Sequence, residues 1–128
     1  MIQEAYVSFE TAKLLKDKGF DESCRYYYVN NGNLMFTEEY FHNSEIKYGT
    51  YTGCICTAPT LQMAMKWLRE VHTLFIEITV DLSDVVYPMY NAKIVNLKTC
   101  DNHYVLGYDR YSYEEAVETA IINCLNLI

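Results

Sequence analysis

The segment RYYYVNNGNLMFTEEY constrains this chain more than any other. Asn31-Gly32 stands between two β-prone runs, and that dipeptide in that setting is a strong hairpin signal. A two-residue loop pairs Val29 with Leu34, Tyr28 with Met35 and Tyr27 with Phe36. Alternation then sends Tyr27, Val29, Leu34 and Phe36 to one face, the predicted core. Tyr26, Tyr28, Met35 and Thr37 go to the other. This second face is poor in polar groups, so it is either covered or a functional surface.

Three helices are punctuated as clearly. Ser8 is a good N-cap, Glu10 lies in the first turn, lysines lie toward the far end, and Gly19 suits the C′ position; the spacing predicts a helix over Phe9 to Lys18. In APTLQMAMKWLREVH, Thr57 or Thr60 can cap and Pro59 suits the first turn. Leu61, Ala64, Met65, Leu68 and Val71 share a face at helical spacing, with Trp67 on its border and Met63 just beyond. Ser112 and Glu115 have capping-box spacing ahead of a stripe of Ala116, Val117, Ala120, Ile121, Cys124 and Ile128. SFETA and SYEEA look alike, but two helix starts obeying one capping rule account for that.

Between the last two helices, TLFIEITVDL alternates cleanly. Leu74, Ile76, Ile78 and Val80 point one way; Phe75, Glu77, Thr79 and Asp81 point the other. Further β-prone runs lie around Val85–Val95 and Tyr104–Tyr108, and Pro88 marks an edge or a break. Residues 41–57 are the least regular, with a short strand near KYGTYTGCIC. Hairpin-rich strands with helices between them imply an α+β fold: an antiparallel sheet with about three helices mainly on one face. A length of 128 residues fits one domain, residues 1–128.

A net charge of −7 repels phosphate backbones, so direct nucleic-acid binding is disfavoured. The same field suits a protein that occupies a basic partner's surface. The N-terminal MIQEAYVSFETAKLL lacks a basic n-region and a long apolar run, unlike a signal peptide, and no segment approaches a bilayer-spanning length. Five cysteines, an odd number, then point to reduced thiols in a cytosol.

No residue set announces catalysis. The chain has no phosphate loop and no dinucleotide fingerprint, and its cysteines and histidines have no local pairing. Cys54 and Cys56 have no second close pair to complete a zinc site. Glu114 and Glu115 are explained by the helix start, and Glu38 and Glu39 by a solvated strand end. No cofactor, no metal and no catalytic residue is expected. The remaining candidate is a ligand-binding set. Trp67 offers a ring to stack, Lys66 and Arg69 offer cations, and Thr60 lies at a helix N-terminus that attracts anions. Tyr26 and Tyr28, with Tyr48 and Tyr51, supply further rings. The plainer alternative makes Trp67 a core residue, Lys66 and Arg69 a solvated face, and the tyrosines sheet residues. Met and aromatic residues flanking a core face also suit a contact between subunits.

Three segments carry a resemblance: FETAKLLKDKGFDE, APTLQMAMKWLREVH with the I-x-I strand after it, and YDRYSYEEAVETAIINCLNLI. Over about half the chain these resemble a family of small proteins of phages and prophages of gut Bacteroides-type bacteria. The resemblance implies a phage accessory protein made in the host bacterial cytoplasm. The reading that follows is a non-enzymatic, homo-oligomeric binding protein, an anti-defence sponge for a nucleotide-type immune signal. An acidic inhibitor of a host defence or DNA-handling protein is the alternative, and a nucleotide-acting enzyme the third.

Overall fold

A computed structural model describes residues 1–46, 53–83, 86–105 and 112–128. The chain is α+β and divides into two compact units, Met1–Thr60 and Leu61–Ile128. Its antiparallel strands, expected in one sheet, form two sheets of three, one in each unit.

The first unit opens with α1 (Phe9–Asp17) and contains β1 (Cys24–Val29), β2 (Leu34–Phe41) and β3 (Cys54–Thr57). Ser8 caps α1 by accepting from the Thr11 N–H. At the other end the Phe20 N–H donates to Leu15 O and the Gly19 N–H to Lys16 O, with Gly19 at φ +93°. That Schellman arrangement needs a left-handed residue at C′, as the sequence foretold. It turns Phe20 into the core beside Val7, Ala12 and Leu15. Asn43, in a short 3-10 turn Asn43–Glu45, is buried as a connector: its amide donates to Phe20 O and accepts from the Thr57 N–H.

The sheet order is β2-β1-β3, so the hairpin is present. Its register differs from the expectation by one residue. Tyr28 stands opposite Leu34, Tyr27 opposite Met35 and Tyr26 opposite Phe36. The loop has three residues, not two. Gly32 donates to Val29 O from a left-handed φ of +85°, while the Val29 N–H donates to Asn33 O. This is a type I turn closed by a glycine bulge, a form Asn-Gly serves as well as the two-residue one. The shift puts Tyr26 and Tyr28, rather than Tyr27 and Val29, on the face of Leu34 and Phe36. Tyr28 is buried on that face, while Leu34 and Phe36, predicted core, lie exposed on the outer strand of the sheet.

The second unit contains α2 (Leu61–His72), β4 (Leu74–Asp81), β5 (Met89–Asn96), β6 (Asn102–Val105) and α3 (Tyr113–Asn126). The sheet order is β4-β5-β6. Strands β4 and β5 pair without interruption from Leu74↔Asn96 to Asp81↔Met89, and β5 begins just after Pro88. Both helices pack on this sheet. Its core joins Leu74, Ile76, Ala92 and Ile94 to Leu61, Ala64 and Leu68 of α2 and to Ala116, Val117, Ala120, Ile121 and Cys124 of α3. Those α3 residues are the predicted stripe; Leu125 joins it, and Ile128 lies past the helix end. The Ser112 hydroxyl accepts from the Glu115 N–H, as its spacing requires. Burial on β4 fades along the strand: Leu74 and Ile76 are buried, while Val80 is 51% exposed.

Candidate functional site

The predicted ligand-binding residues are divided between the two units. Tyr26, Tyr28 and Thr60 belong to the first unit, and Lys66, Trp67 and Arg69 to the second. Trp67 is only 5% exposed, and its ring meets that of His72 edge-on at 4.7 Å. Successive helical residues lie about 100° apart, so Lys66 and Arg69 share a side that Trp67 does not. Packing selects Trp67 for the core and leaves Val71, predicted core, 56% exposed. Tyr28 is buried, and its hydroxyl donates to Val7 O at 2.6 Å. Thr60 forms a bridge with Tyr6 at the end of the first unit. Tyr48 and Tyr51 lie outside the described residues. Of the six, Tyr26 is the aromatic ring left on a partly open surface.

Tyr26 leads to a different site. Between the pairs Tyr26↔Phe36 and Cys24↔Phe41 the ladder is interrupted, so Thr37–Tyr40 of β2 stand against Arg25 alone on β1. Surplus residues in one strand must leave the ladder. Glu38, Glu39 and Tyr40 accordingly face solvent, while Phe41 returns to the core. Arg25 fills the gap. Its Nε–H makes a long 3.4 Å hydrogen bond to Thr37 O, and its guanidinium lies over Phe36 at 4.8 Å and Tyr40 at 5.2 Å. Tyr26 stacks between Phe36, at 5.1 Å, and Tyr6, at 4.2 Å. Burial, then the hydrogen bond with Tyr26, raises the Tyr6 pKa above the usual 10.0. Leu34, Met35, Phe36 and Tyr40 are 40–65% exposed, so the outer strand of the hairpin presents apolar and aromatic side chains beside two carboxylates. Sequence reading missed Arg25, Phe36 and Tyr40 because nothing in TEEY marks a bulge.

A cavity of about 300 Å³ opens at the end of α1, lined by Lys16, Gly19, Phe20, Asp21, Asn43 and Ser44. Its polar groups already have structural duties. Lys16 Nζ donates to Ile55 O at 2.7 Å, Asn43 ties loops, and Asp21 accepts from the Ser44 N–H at 2.7 Å, which holds its carboxyl below the usual range.

The buried thiols are tuned away from nucleophilic work. Burial pushes Cys24 up to about 11, and Cys56 and Cys124 to about 12, whereas an activated thiolate requires the opposite shift. Among the described residues no group of three or more His, Cys, Asp or Glu side chains is placed to hold a metal ion. Among them, too, no helix is long and apolar enough to cross a membrane. Comparison with protein-family models, curated proteins and solved structures gives no match.

Proposed function

We propose that this is a non-enzymatic binding protein whose working surface is the outer strand of the β1–β2 hairpin, and that its partner is a basic protein. The observation that supports this most is the exposure of Met35, Phe36 and Tyr40 on one strand, with Arg25 held against two of the rings. Aromatic, Met and Arg side chains are the types enriched at protein interfaces. Glu38 and Glu39 are exposed in the same strand, and the whole chain carries −7, so the surface favours Lys or Arg on the partner. The phage resemblance would make that partner a host defence or DNA-handling protein. The nucleotide-sponge reading is weaker on this geometry, because the Trp67 and Tyr28 rings it needs are buried.

The test uses two labelled peptides, one alternating leucine with lysine and one alternating leucine with glutamate, followed by fluorescence anisotropy. The basic peptide is expected to bind more tightly, to weaken with added salt, and to bind less tightly to the Met35→Ser variant. Equal binding of both peptides, or an unaltered Met35→Ser variant, overturns the proposal. A nucleotide released on heating from protein incubated in extracts of phage-infected cells would restore the sponge reading in its place.

A further inference from the structure

Strand β4 is the first strand of the β4-β5-β6 order, so among the described residues one of its edges is unpaired. Open edges are usually blunted by charged side chains, above all lysine, or by proline, a bulge or shortness. β4 carries Glu77 and Asp81 but has no lysine, proline or bulge. It is LFIEITVD, eight residues long, and pairs regularly with β5 throughout. Its ladder with β5 is uninterrupted, whereas the ladder between β1 and β2 breaks at Arg25.

The sequence of β4 fits a second copy of itself. In a twofold antiparallel pairing, a register that keeps the helix-covered face continuous must set even-numbered residues opposite even and odd opposite odd. Two such registers pair seven of the eight residues of the strand. One, centred on Glu77, sets Glu77 against Glu77 of the second copy. Like charges directly opposite destabilise a ladder. The other, centred on Ile78, avoids this clash: Glu77 meets Thr79 and Asp81 meets Phe75. On the helix-covered face it aligns Ile76 with Val80, and Ile78 with itself.

Burial points to the same occupant. Ile76 is buried under its own helices, while Val80, two turns of the pleat further on, is 51% exposed. A second copy would set its own Ile76, the well-covered half of the strand, beside that Val80. Val71, in the last turn of α2 just before β4, is 56% exposed although it lies within the arc that Ala64, Trp67 and Leu68 bury. Phe75 is also exposed, at 38%.

We infer that the protein forms a twofold dimer through β4, which joins two three-stranded sheets into one of six strands centred on Ile78. This rests on the second unit and is independent of the hairpin surface. Sedimentation equilibrium should report twice the 15.0 kDa chain mass. Thr79 is exposed, so its substitution spares the core. Thr79→Glu sets a carboxylate against Glu77 twice per dimer and should weaken dimerisation about tenfold or more. Thr79→Lys sets an ammonium there and should retain the dimer. Circular dichroism on both variants verifies that the fold is kept. A wild-type chain that stays monomeric, or a dimer that responds alike to glutamate and lysine at position 79, overturns the inference.

Discussion

The hydroxyl of Tyr28 donates to the carbonyl of Val7 at 2.6 Å, and both residues are buried. The bond ties the centre of β1 to the segment that leads into α1. Its strength comes from the absence of competing water. Tyr28→Phe should therefore cost about 1–2 kcal/mol, since a buried carbonyl loses a donor. Urea unfolding would show this as a lower midpoint with an unchanged slope. An unchanged midpoint would mean that water or another donor replaces the hydroxyl.

Gly32 sets the hairpin register. Its φ of +85° is unfavourable for residues with a Cβ, and an added Cβ would lie 3.2 Å from Cδ2 of Phe9. Gly32→Ala should cost about 1 kcal/mol or more. Gly19 has a similar φ, +93°, but nothing within 4 Å of an added Cβ. Gly19→Ala should be the milder of the two in thermal unfolding, and the reverse order would refute the Phe9 contact.

Trp67 is the sole tryptophan, which makes its burial directly visible. Its emission should be blue-shifted and resist acrylamide quenching until the protein unfolds. Trp67→Ala should destabilise by about 3–5 kcal/mol through the cavity it leaves. Emission at the wavelength of free indole in the folded protein would return Trp67 to the surface.

Thiol ionisation gives an alkaline limit. Cys24, Cys56 and Cys124 have folded pKa values above the usual 9.0, because burial disfavours the thiolate. The stability this contributes is fully present below pH 9 and is lost as pH rises toward 11–12, where the unfolded chain binds fewer protons. The urea midpoint should fall across that window. At neutral pH exposed Cys100 should react promptly with a thiol reagent, and the three buried thiols only on unfolding. Prompt reaction of all five would contradict this packing.

His42 should titrate above its usual 6.5. Its ring bonds the Asp21 carbonyl, and Glu45 and Asp21 add attraction for the cation. A raised pKa contributes stability that is present below pH 6.5 and lost as pH rises through the folded value. Proton NMR of the imidazole gives the midpoint, and His42→Gln should remove that contribution. A midpoint at or below 6.5 would show that the loop bond is not kept in solution.

Of the candidate site, the sequence made legible that the hairpin had an unusually apolar second face. It did not show which residues would lie there. Asn-Gly supports two loop lengths of similar local energy, and the choice between them decides which residues of β1 share a face with Leu34 and Phe36. That choice is coupled to the Val7 carbonyl and the Phe9 ring, which pack against Tyr28 from a segment far along the chain. The bulge at Arg25 was equally invisible. It depends on where Phe41 re-enters the core opposite Cys24. Trp67 lay on the border of a helical stripe, and periodicity alone does not say which border the sheet will cover.

By itself the sequence determined the helix starts at Ser8 and Ser112, the stop at Gly19, the alternation of β4 and the stripe of α3. Each is settled within one or two turns, by a cap, a left-handed glycine or a repeat of apolar side chains. Only the tertiary structure decided that the strands form two sheets, that Tyr28 and Trp67 are buried, and that Phe36 and Tyr40 remain outside. Those outcomes depend on which distant surfaces exclude water together, and local propensity carries no information about that.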